Sequence, residues 1–237
     1  MSGEGIRLYR TVTHSCGYFG DRQSQNLVLD PESPRLAEAY ASALAQGYRR
    51  AGDIVYRPDC GACQACVPYR IPVARFRPNR AQRRVQTRNR DLECRWVDTR
   101  ALAASHPLYL RYLATRHPAG GMDGASLDDQ LRFLVSNWAR TDCLELRLDR
   151  ELVCVAVTDF VADAASAVYT YYAPEHRSRS LGTEAILRQL AHCRELGLRH
   201  LYLGYWIAEH PKMRYKQGFG PAEVLVGRTW EAFAPGN

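Results

Sequence analysis

From residue 92 onward the hydrophobic pattern switches between the periods of strand and helix many times, and the order of the switches constrains the fold more than any other feature. Residues 92–97 read as a strand. Residues 107–117 and 127–138 read as helices, the second capped by Ser126 with Asp128 and Asp129 in its first turn, where carboxylates favour unpaired amides. Residues 144–148 and 152–160 read as a hairpin across Asp149-Arg150, and 167–172 as another strand. A helix over 181–196 closes at Gly197, whose freedom at positive φ suits a helix end. A strand at 201–205, a short helix at 209–217 and a strand at 223–230 complete the series. Strands and helices in the order β-α-α-β-β-β-α-β-α-β predict a mixed sheet flanked by helices, an α/β class.

Ahead of this, Ser33-Pro34 opens a helix with a capping residue and a proline at its first position. Leu36, Ala37, Tyr40, Ala41 and Leu44 form its apolar face, and Gly47 ends it. Residues 52–57 read as a short strand, 68–78 as a proline-punctuated extended stretch, and Asn79 as the cap of a basic helix reaching Asn89. No internal repeat or long linker interrupts the chain. The expected organisation is a smaller cysteine-containing N-terminal part, 1–90, and a C-terminal part, 91–237. The element order of the latter is similar to the acyltransferase fold of the N-acetyltransferase superfamily.

No stretch reaches the run of about 20 apolar residues that a membrane helix needs. The start, Met1-Ser-Gly-Glu-Gly-Ile-Arg, lacks the apolar core of a signal peptide. The expectation is a cytoplasmic protein whose eight cysteines stay reduced, serving as core residues or metal ligands rather than disulfides. Net charge is +7. Between residues 70 and 95 stand Arg70, Arg75, Arg77, Arg80, Arg83, Arg84, Arg88, Arg90 and Arg95, against only Asp91 and Glu93. A basic stripe this concentrated suits a phosphate backbone, since each neutralised phosphate releases counterions. A solvated helix face is the bland alternative.

Four motifs could carry chemistry. Arg179-Ser-Leu-Gly-Thr-Glu184 sits where acetyltransferases of the similar fold hold the pyrophosphate of coenzyme A on helix-start amides. Gly182 is retained there, but Glu184 puts a carboxylate near that nest, so the expected donor is not coenzyme A. Cys60-Gly-Ala-Cys-Gln-Ala-Cys66 has spacing found in zinc and iron–sulfur sites, and Cys16 or Cys94 would supply a fourth ligand. Three reduced cysteines in a loop are the alternative. Of 32 basic Lys and Arg residues only Lys212 and Lys216 are lysines, four apart on one face of a short helix. Their retention suggests a need for a compact ammonium rather than charge alone. Tyr169, Tyr171, Tyr172, Tyr202, Tyr205 and Trp206 form two aromatic strands, suited to a core or to stacking an adenine.

Together these blocks resemble the bacterial aspartate/glutamate leucyltransferases, relatives of the arginyl-tRNA–protein transferases. The resemblance runs through His14-Ser-Cys-Gly-Tyr18, Tyr48-Arg-Arg-Ala-Gly-Asp53, Tyr56-Arg-Pro-Asp-Cys60 and Asn79-Arg-Ala-Gln-Arg-Arg84. It is strongest in Ser166-Ala-Val-Tyr-Thr-Tyr-Tyr172, Arg179-Ser-Leu-Gly-Thr183, Tyr202-Leu-Gly-Tyr-Trp-Ile207 and the Lys212 to Lys216 block. Phe19-Gly-Asp21 and Ala51 depart from the family's usual residues.

The resemblance implies transfer of leucine from leucyl-tRNA to proteins beginning with Asp or Glu, which marks them for N-degron degradation. The tRNA ester is already activated, so the step requires no cofactor. An iron–sulfur cluster or zinc on Cys16, Cys60, Cys63 and Cys66 stays open. Asp159 is the expected base, with Tyr171 and Tyr205 as further catalytic candidates. Arg49, Arg50, Lys212 and Lys216 are expected to bind the acidic acceptor. Arg80, Arg83, Arg84, Arg88, Ser180, Gly182 and Tyr215 are expected on tRNA. Rival readings are an acetyltransferase using coenzyme A, a metal-containing RNA-binding module without catalysis, and the same transfer with arginyl-tRNA as donor.

Overall fold

The computed structural model describes residues 5–116 and 124–234. The chain runs β1 (Leu8–Arg10), β2 (His14–Ser15), β3 (Gln23–Ser24), β4 (Asn26–Leu29), α1 (Leu36–Ala45), β5 (Arg49–Ala51), β6 (Ile54–Pro58) and β7 (Val67–Pro72). It continues through α2 (Arg80–Arg88), β8 (Glu93–Asp98), α3 (His106–Arg116), α4 (Leu127–Leu134), β9 (Arg140–Leu148), β10 (Glu151–Phe160) and β11 (Ala164–Tyr172). Then follow α5 (Leu181–Glu195), β12 (His200–Trp206), α6 (Pro211–Arg214), β13 (Glu223–Val226) and β14 (Thr229–Ala232).

An eight-stranded sheet in the order β14-β13-β7-β12-β11-β10-β9-β8 forms the body, and a four-stranded sheet, β1-β4-β6-β5, stands beside it. The α/β class and the mixed sheet expected from the pattern are both present. One finding was not expected. The stretch after residue 67 supplies β7, paired with β12 on one side and β13 on the other, so the large sheet draws strands from both sides of residue 90.

Local chemistry explains most boundaries. Asn79 caps α2 reciprocally: its side chain accepts from the Gln82 amide at 2.9 Å, and the Gln82 side chain accepts from the Asn79 amide. Asp149 and Arg150 turn the β9–β10 hairpin with φ of 48° and 72°, the twist such two-residue turns require.

Elsewhere the pattern misled. The helix expected over 127–138 stops at Leu134, because Asp53 accepts from Ser136 Oγ and from the Asn137 amide and side chain, pulling the chain out of helix. The turn carrying Asp53 docks so closely that a Cβ on Gly52 would lie 2.2 Å from the Arg132 carbonyl oxygen. The first helix begins at Leu36 with Arg35 as its cap, not Ser33. The strand expected over 223–230 is a hairpin turning at Gly227, φ 60°. The helix expected over 209–217 tightens after Arg214. Residue 117, the expected end of α3, lies outside the described residues.

Apolar faces pack in three groups. Tyr109, Leu113 and Leu134 cover Leu144, Leu146, Val155 and Tyr171 on one side of the sheet. Ile186, Leu187 and Leu190 of α5 cover Ile71, Leu201 and Leu203 on the other. Leu36, Tyr40 and Leu44 of α1 pack with Leu29, Val55 and Tyr202.

A buried ion pair joins the two sheets. Arg50 on β5 gives two 2.6 Å hydrogen bonds to Asp159 on β10, and both side chains are fully buried. Tyr40 and Thr141 each donate to the same carboxylate at 2.8 Å. Arg50 also donates to the carbonyls of Gly52 and Leu134. Removing one partner strands the other as a bare buried charge, so Arg50→Met is expected to cost about 3–5 kcal/mol. Urea unfolding of the variant measures this, and a loss below about 1 kcal/mol would show that the pair does not hold the sheets together.

Candidate active site

The large sheet contains a gap. β11 and β12 run parallel but pair only from Ala164–Ser166 against His200–Tyr202, although the strands continue to Tyr172 and Trp206. Beyond that point each strand bears carbonyls with no partner across the gap, and unpaired buried carbonyls are costly.

Arg49 fills the base of the gap. Side chains alternate along a strand, so Arg49 points away from its neighbour Arg50 and into the large sheet. Its Nη1 donates to Ser166 Oγ at 2.9 Å and to the Tyr202 carbonyl at 3.5 Å, and its Nη2 donates to the Ala167 carbonyl at 2.5 Å. Gly204, at φ 78°, leaves it room: a Cβ there would lie 3.4 Å from the guanidinium carbon. Every acceptor is neutral. Among the described residues no carboxylate lies within salt-bridge distance, so a full positive charge stands half-buried and uncompensated.

Lys216 lines the same region. It is 3% exposed, and its Nζ donates to the Tyr205 carbonyl at 2.5 Å, with Met213 Sδ at 3.5 Å. Burial, reinforced by the Arg49 guanidinium, pulls its ammonium down to about 7 against a small upward pull from Cys66. Tyr205 itself is buried, and its hydroxyl donates to the Gly47 carbonyl at 3.0 Å. Burial raises the Tyr205 and Tyr56 phenols above their ordinary value, with Arg49 opposing. Both phenols therefore stay protonated at neutral pH.

Tyr205 also belongs to a cavity of about 500 Å³ bounded by Tyr18, Phe19, Tyr56, Pro68 and Val226. The loop between β2 and β3 closes one side: Arg22 pairs with Glu209 at 2.9 Å and lies 3.9 Å over the Phe19 ring, while Tyr18 packs edge-on against His210. Cys16, Cys60, Cys63 and Cys66 all line this cavity. Three of the thiols face separate partners. Cys16 accepts from the Tyr18 amide, Cys63 from Arg22, and Cys60 donates to the Gln25 carbonyl. Burial pushes the Cys66 thiol up to about 12, with the other three cysteines adding to the rise. Among the described residues no group of three or more His, Cys, Asp or Glu side chains is arranged to hold a metal ion. The expected four-thiol set therefore does not fit a metal as it stands, and no chemistry is routed through one.

The expected site residues divide. Arg49, Lys216 and Tyr205 come together. Asp159, the expected base, is enclosed by Arg50, Tyr40 and Thr141, and no substrate amine can reach it. Arg50 serves that carboxylate rather than an acceptor. Tyr171 is fully buried, with its hydroxyl against Ser105 Oγ at 2.6 Å and Gln130, so it organises the core. Lys212 is exposed and donates to the Arg116 carbonyl at 2.8 Å, away from Lys216's partners. Tyr215 is 51% exposed beside Lys216. Tyr18 and Tyr56 stand in blocks that carry the family resemblance but were not among the expected site residues.

At the start of α5, Ser180 sits in the left-handed region at φ 55° and does not cap the helix with its side chain. Gly182 is explained by packing, since a Cβ there would meet the Tyr172 ring at 3.2 Å. Glu184 is not near the opening amides' outer side. It is fully buried and bonded to Arg188 at 2.7 Å. The Tyr172 ring packs over Gly182, and the Glu184 carboxylate is turned into the core. The basic helix α2 is tied to the same loop: Arg88 donates to the Ser178 carbonyl, and Arg179 pairs with Asp91. Arg80, Arg83, Arg84 and Arg88 are exposed and make no salt bridge among the described residues. Arg70, by contrast, is spent on Glu223 and the face of Trp230.

Comparison with known proteins places this geometry. Residues 14–84 match the family profile of arginine-tRNA-protein transferase, N terminus, and residues 104–226 that of its C terminus. A Stenotrophomonas maltophilia (strain K279a) protein named aspartate/glutamate leucyltransferase is 49% identical over 234 residues, 96% of this chain and 93% of the relative. The chain belongs to the aspartate/glutamate leucyltransferase family. A Xylella fastidiosa (strain 9a5c) member is 44% identical over 237 residues, covering 98% of this chain and 93% of its own. The crystal structure of FemX superposes with a TM-score of 0.51 at 10% identity, over 93% of this chain and 86% of that one, so the two share a fold.

The Lys216 environment has a stability consequence. The unfolded lysine titrates near 10.5 and the folded one near 7. Between those values the unfolded chain binds the extra proton, so stability rises with pH, and below 7 the whole cost of burying the charge is felt. Lys216→Met is therefore expected to stabilise the family member most below pH 7, with the gain shrinking toward pH 10. Urea midpoints at pH 6, 8 and 10 read this out, and a gain independent of pH would contradict it.

Proposed function

We propose that this chain transfers leucine from leucyl-tRNA to the N-terminal amine of proteins beginning with Asp or Glu. The observation that carries the reading is the uncompensated Arg49 guanidinium in a gap whose other contacts are all neutral. A carboxylate side chain next to the acceptor amine supplies the missing counter-charge, and charge-assisted bonds to a fixed guanidinium are strong and directional. Both Asp and Glu satisfy it, whereas an Ala or Lys terminus leaves it bare.

The donor reading rests on a second count. The four buried carboxylates among the described residues, Asp30, Glu145, Asp159 and Glu184, are each already paired with an arginine. A donor arginine would need a buried acid of its own. Leucine needs only apolar lining, and the names of the relatives agree with leucine. The exposed arginines of α2 support contact with tRNA phosphates, and their tie to the loop before α5 sets them beside the helix that connects β11 to β12. The ester bond is already activated, so holding amine and ester in line supplies much of the rate. No helix of the described residues is long and apolar enough to cross a membrane.

Purified chain incubated with labelled leucyl- and arginyl-tRNA is expected to label peptides starting with Asp or Glu, and only from leucyl-tRNA. Arg49→Ala should lower kcat/KM for Asp and Glu peptides by about 10- to 100-fold, the worth of a bond to a charged group. An unchanged acceptor preference would remove Arg49 from the site. Replacing Arg80, Arg83, Arg84 and Arg88 together by Gln should flatten the salt dependence of tRNA binding. Each lost phosphate contact lowers the log–log slope by roughly 0.7–0.9. A slope equal to wild type would place tRNA elsewhere.

A further inference from the structure

Arginine stands at 30 of the 32 basic Lys and Arg positions, yet the buried cation beside Arg49 is a lysine. Guanidinium holds its proton under nearly any conditions, while an amine can give one up when buried. Burial and the like charge of Arg49 on β5 push Lys216 in that direction. Its other neighbours are uncharged: the Tyr205 carbonyl of β12, the Met213 thioether of α6 and the Tyr215 ring 5.4 Å away. Cys66, just before β7, pulls the other way. Among the described residues no carboxylate pairs with Lys216. A nitrogen with this access to neutrality, beside the charge that receives the acceptor's side chain, meets a chemical need that Asp159 cannot fill.

That need comes from the acceptor. An α-amine, with an ordinary pKa of about 8, arrives largely as ammonium at neutral pH and cannot attack until it loses a proton. We infer that Lys216 is the general base of the transfer, acting from the gap between β11 and β12 on the α-ammonium of an acceptor whose acidic side chain Arg49 holds.

Lys216 Nζ takes one ammonium proton. The freed lone pair forms the new C–N bond at the leucyl ester carbonyl, and a tetrahedral adduct results. The C–O3′ bond then breaks, its electron pair stays on the tRNA 3′ oxygen, and that oxygen takes the proton back from Lys216. The nitrogen's second proton passes to Lys216 and on to solvent, and the third remains on the peptide nitrogen. No oxidant, metal or further reactant is involved.

This inference rests on the proposed leucine transfer, and its test separates the two. Because the chain has only two lysines, lysine labelled with 13C and 15N gives two side-chain signals, and Lys212→Arg assigns them. Lys216 is expected to titrate near neutrality and Lys212 near the ordinary value of about 10.4. Two ordinary titrations overturn the inference. In single-turnover transfer of leucine to an Asp peptide, Lys216→Arg and Lys216→Ala are expected to lose 100-fold or more in kcat, typical of a lost acid–base group. Peptide KM should change less than about threefold. Ethylamine should restore part of the Lys216→Ala rate, with leucylated peptide as the product. A Lys216→Arg enzyme that keeps more than about a fifth of the rate, or a loss confined to KM, overturns the role. Wild-type chain that transfers no leucine at all overturns the function reading beneath it, whatever the lysine spectrum shows.

Discussion

Two adjacent arginines on one short edge strand hold the molecule and its site in register. The period of two along β5 sends Arg50 to the fully buried Asp159 and Arg49 into the gap between β11 and β12. Neither placement survives alone. Arg50 is fixed by five hydrogen bonds to four residues, so β5 can neither slide nor rotate, and Arg49 is aimed by the same constraint. A shift of one residue in β5 would exchange the two faces. Tyr48 or Ala51 would then take one of the two arginine positions, leaving either the Asp159 carboxylate or the gap without its cation. The family's chemistry is thereby coupled to the docking of one sheet on the other.

The gap itself explains why a cation belongs there. Parallel strands that splay leave carbonyls bare, and backbone acceptors buried without donors are expensive. A guanidinium satisfies the Ala167 and Tyr202 carbonyls while remaining net positive, and the Lys216 amine, charged or neutral, keeps an N–H for the Tyr205 carbonyl. Most other buried or half-buried cations here are neutralised by acids, as in Arg50–Asp159, Arg70–Glu223 and Arg188–Glu184. Carbonyl partners do something different. They anchor the side chain and leave its charge available to a ligand.

Much of this was legible in the sequence, and the rest was hidden for identifiable reasons. Periodicity showed the strands and helices of the C-terminal part because each is a local pattern. It did not show that β7 enters the same sheet. Pro68 and Pro72 made that stretch look irregular, and its partners on β12 and β13 stand far along the chain, His200 opposite Pro72 and Glu223 opposite Arg70. Arg49 and Arg50 were both visible as candidates, but nothing along the chain says which face of β5 meets an acid. Asp159 looked like a base because it ends a central strand, while its four contacts come from α1, β5 and β9. Lys216 announced itself through the scarcity of lysine. Tyr56 and Tyr18, equally close to the site, carried no such mark among fourteen tyrosines.

The cysteine run shows the same limit from the other side. Spacing keeps Cys60, Cys63 and Cys66 on one loop, the fold brings Cys16 to the same cavity, and three of the four thiols are engaged by a peptide amide, a peptide carbonyl and Arg22. Proximity of soft ligands is set by the loop, while the direction of each thiol is set by its rotamer and its own hydrogen-bond partner. The structural work in this corner falls instead to the Arg22–Glu209 pair and to the packing of Tyr18 and Phe19 on His210. These fasten the β2–β3 loop to the segment that follows β12. Because Tyr205 on that same strand both closes the cavity and offers its carbonyl to Lys216, movement of the loop would be felt at the lysine. The cavity and the gap between the strands are thus two faces of one wall, joined through a single backbone position.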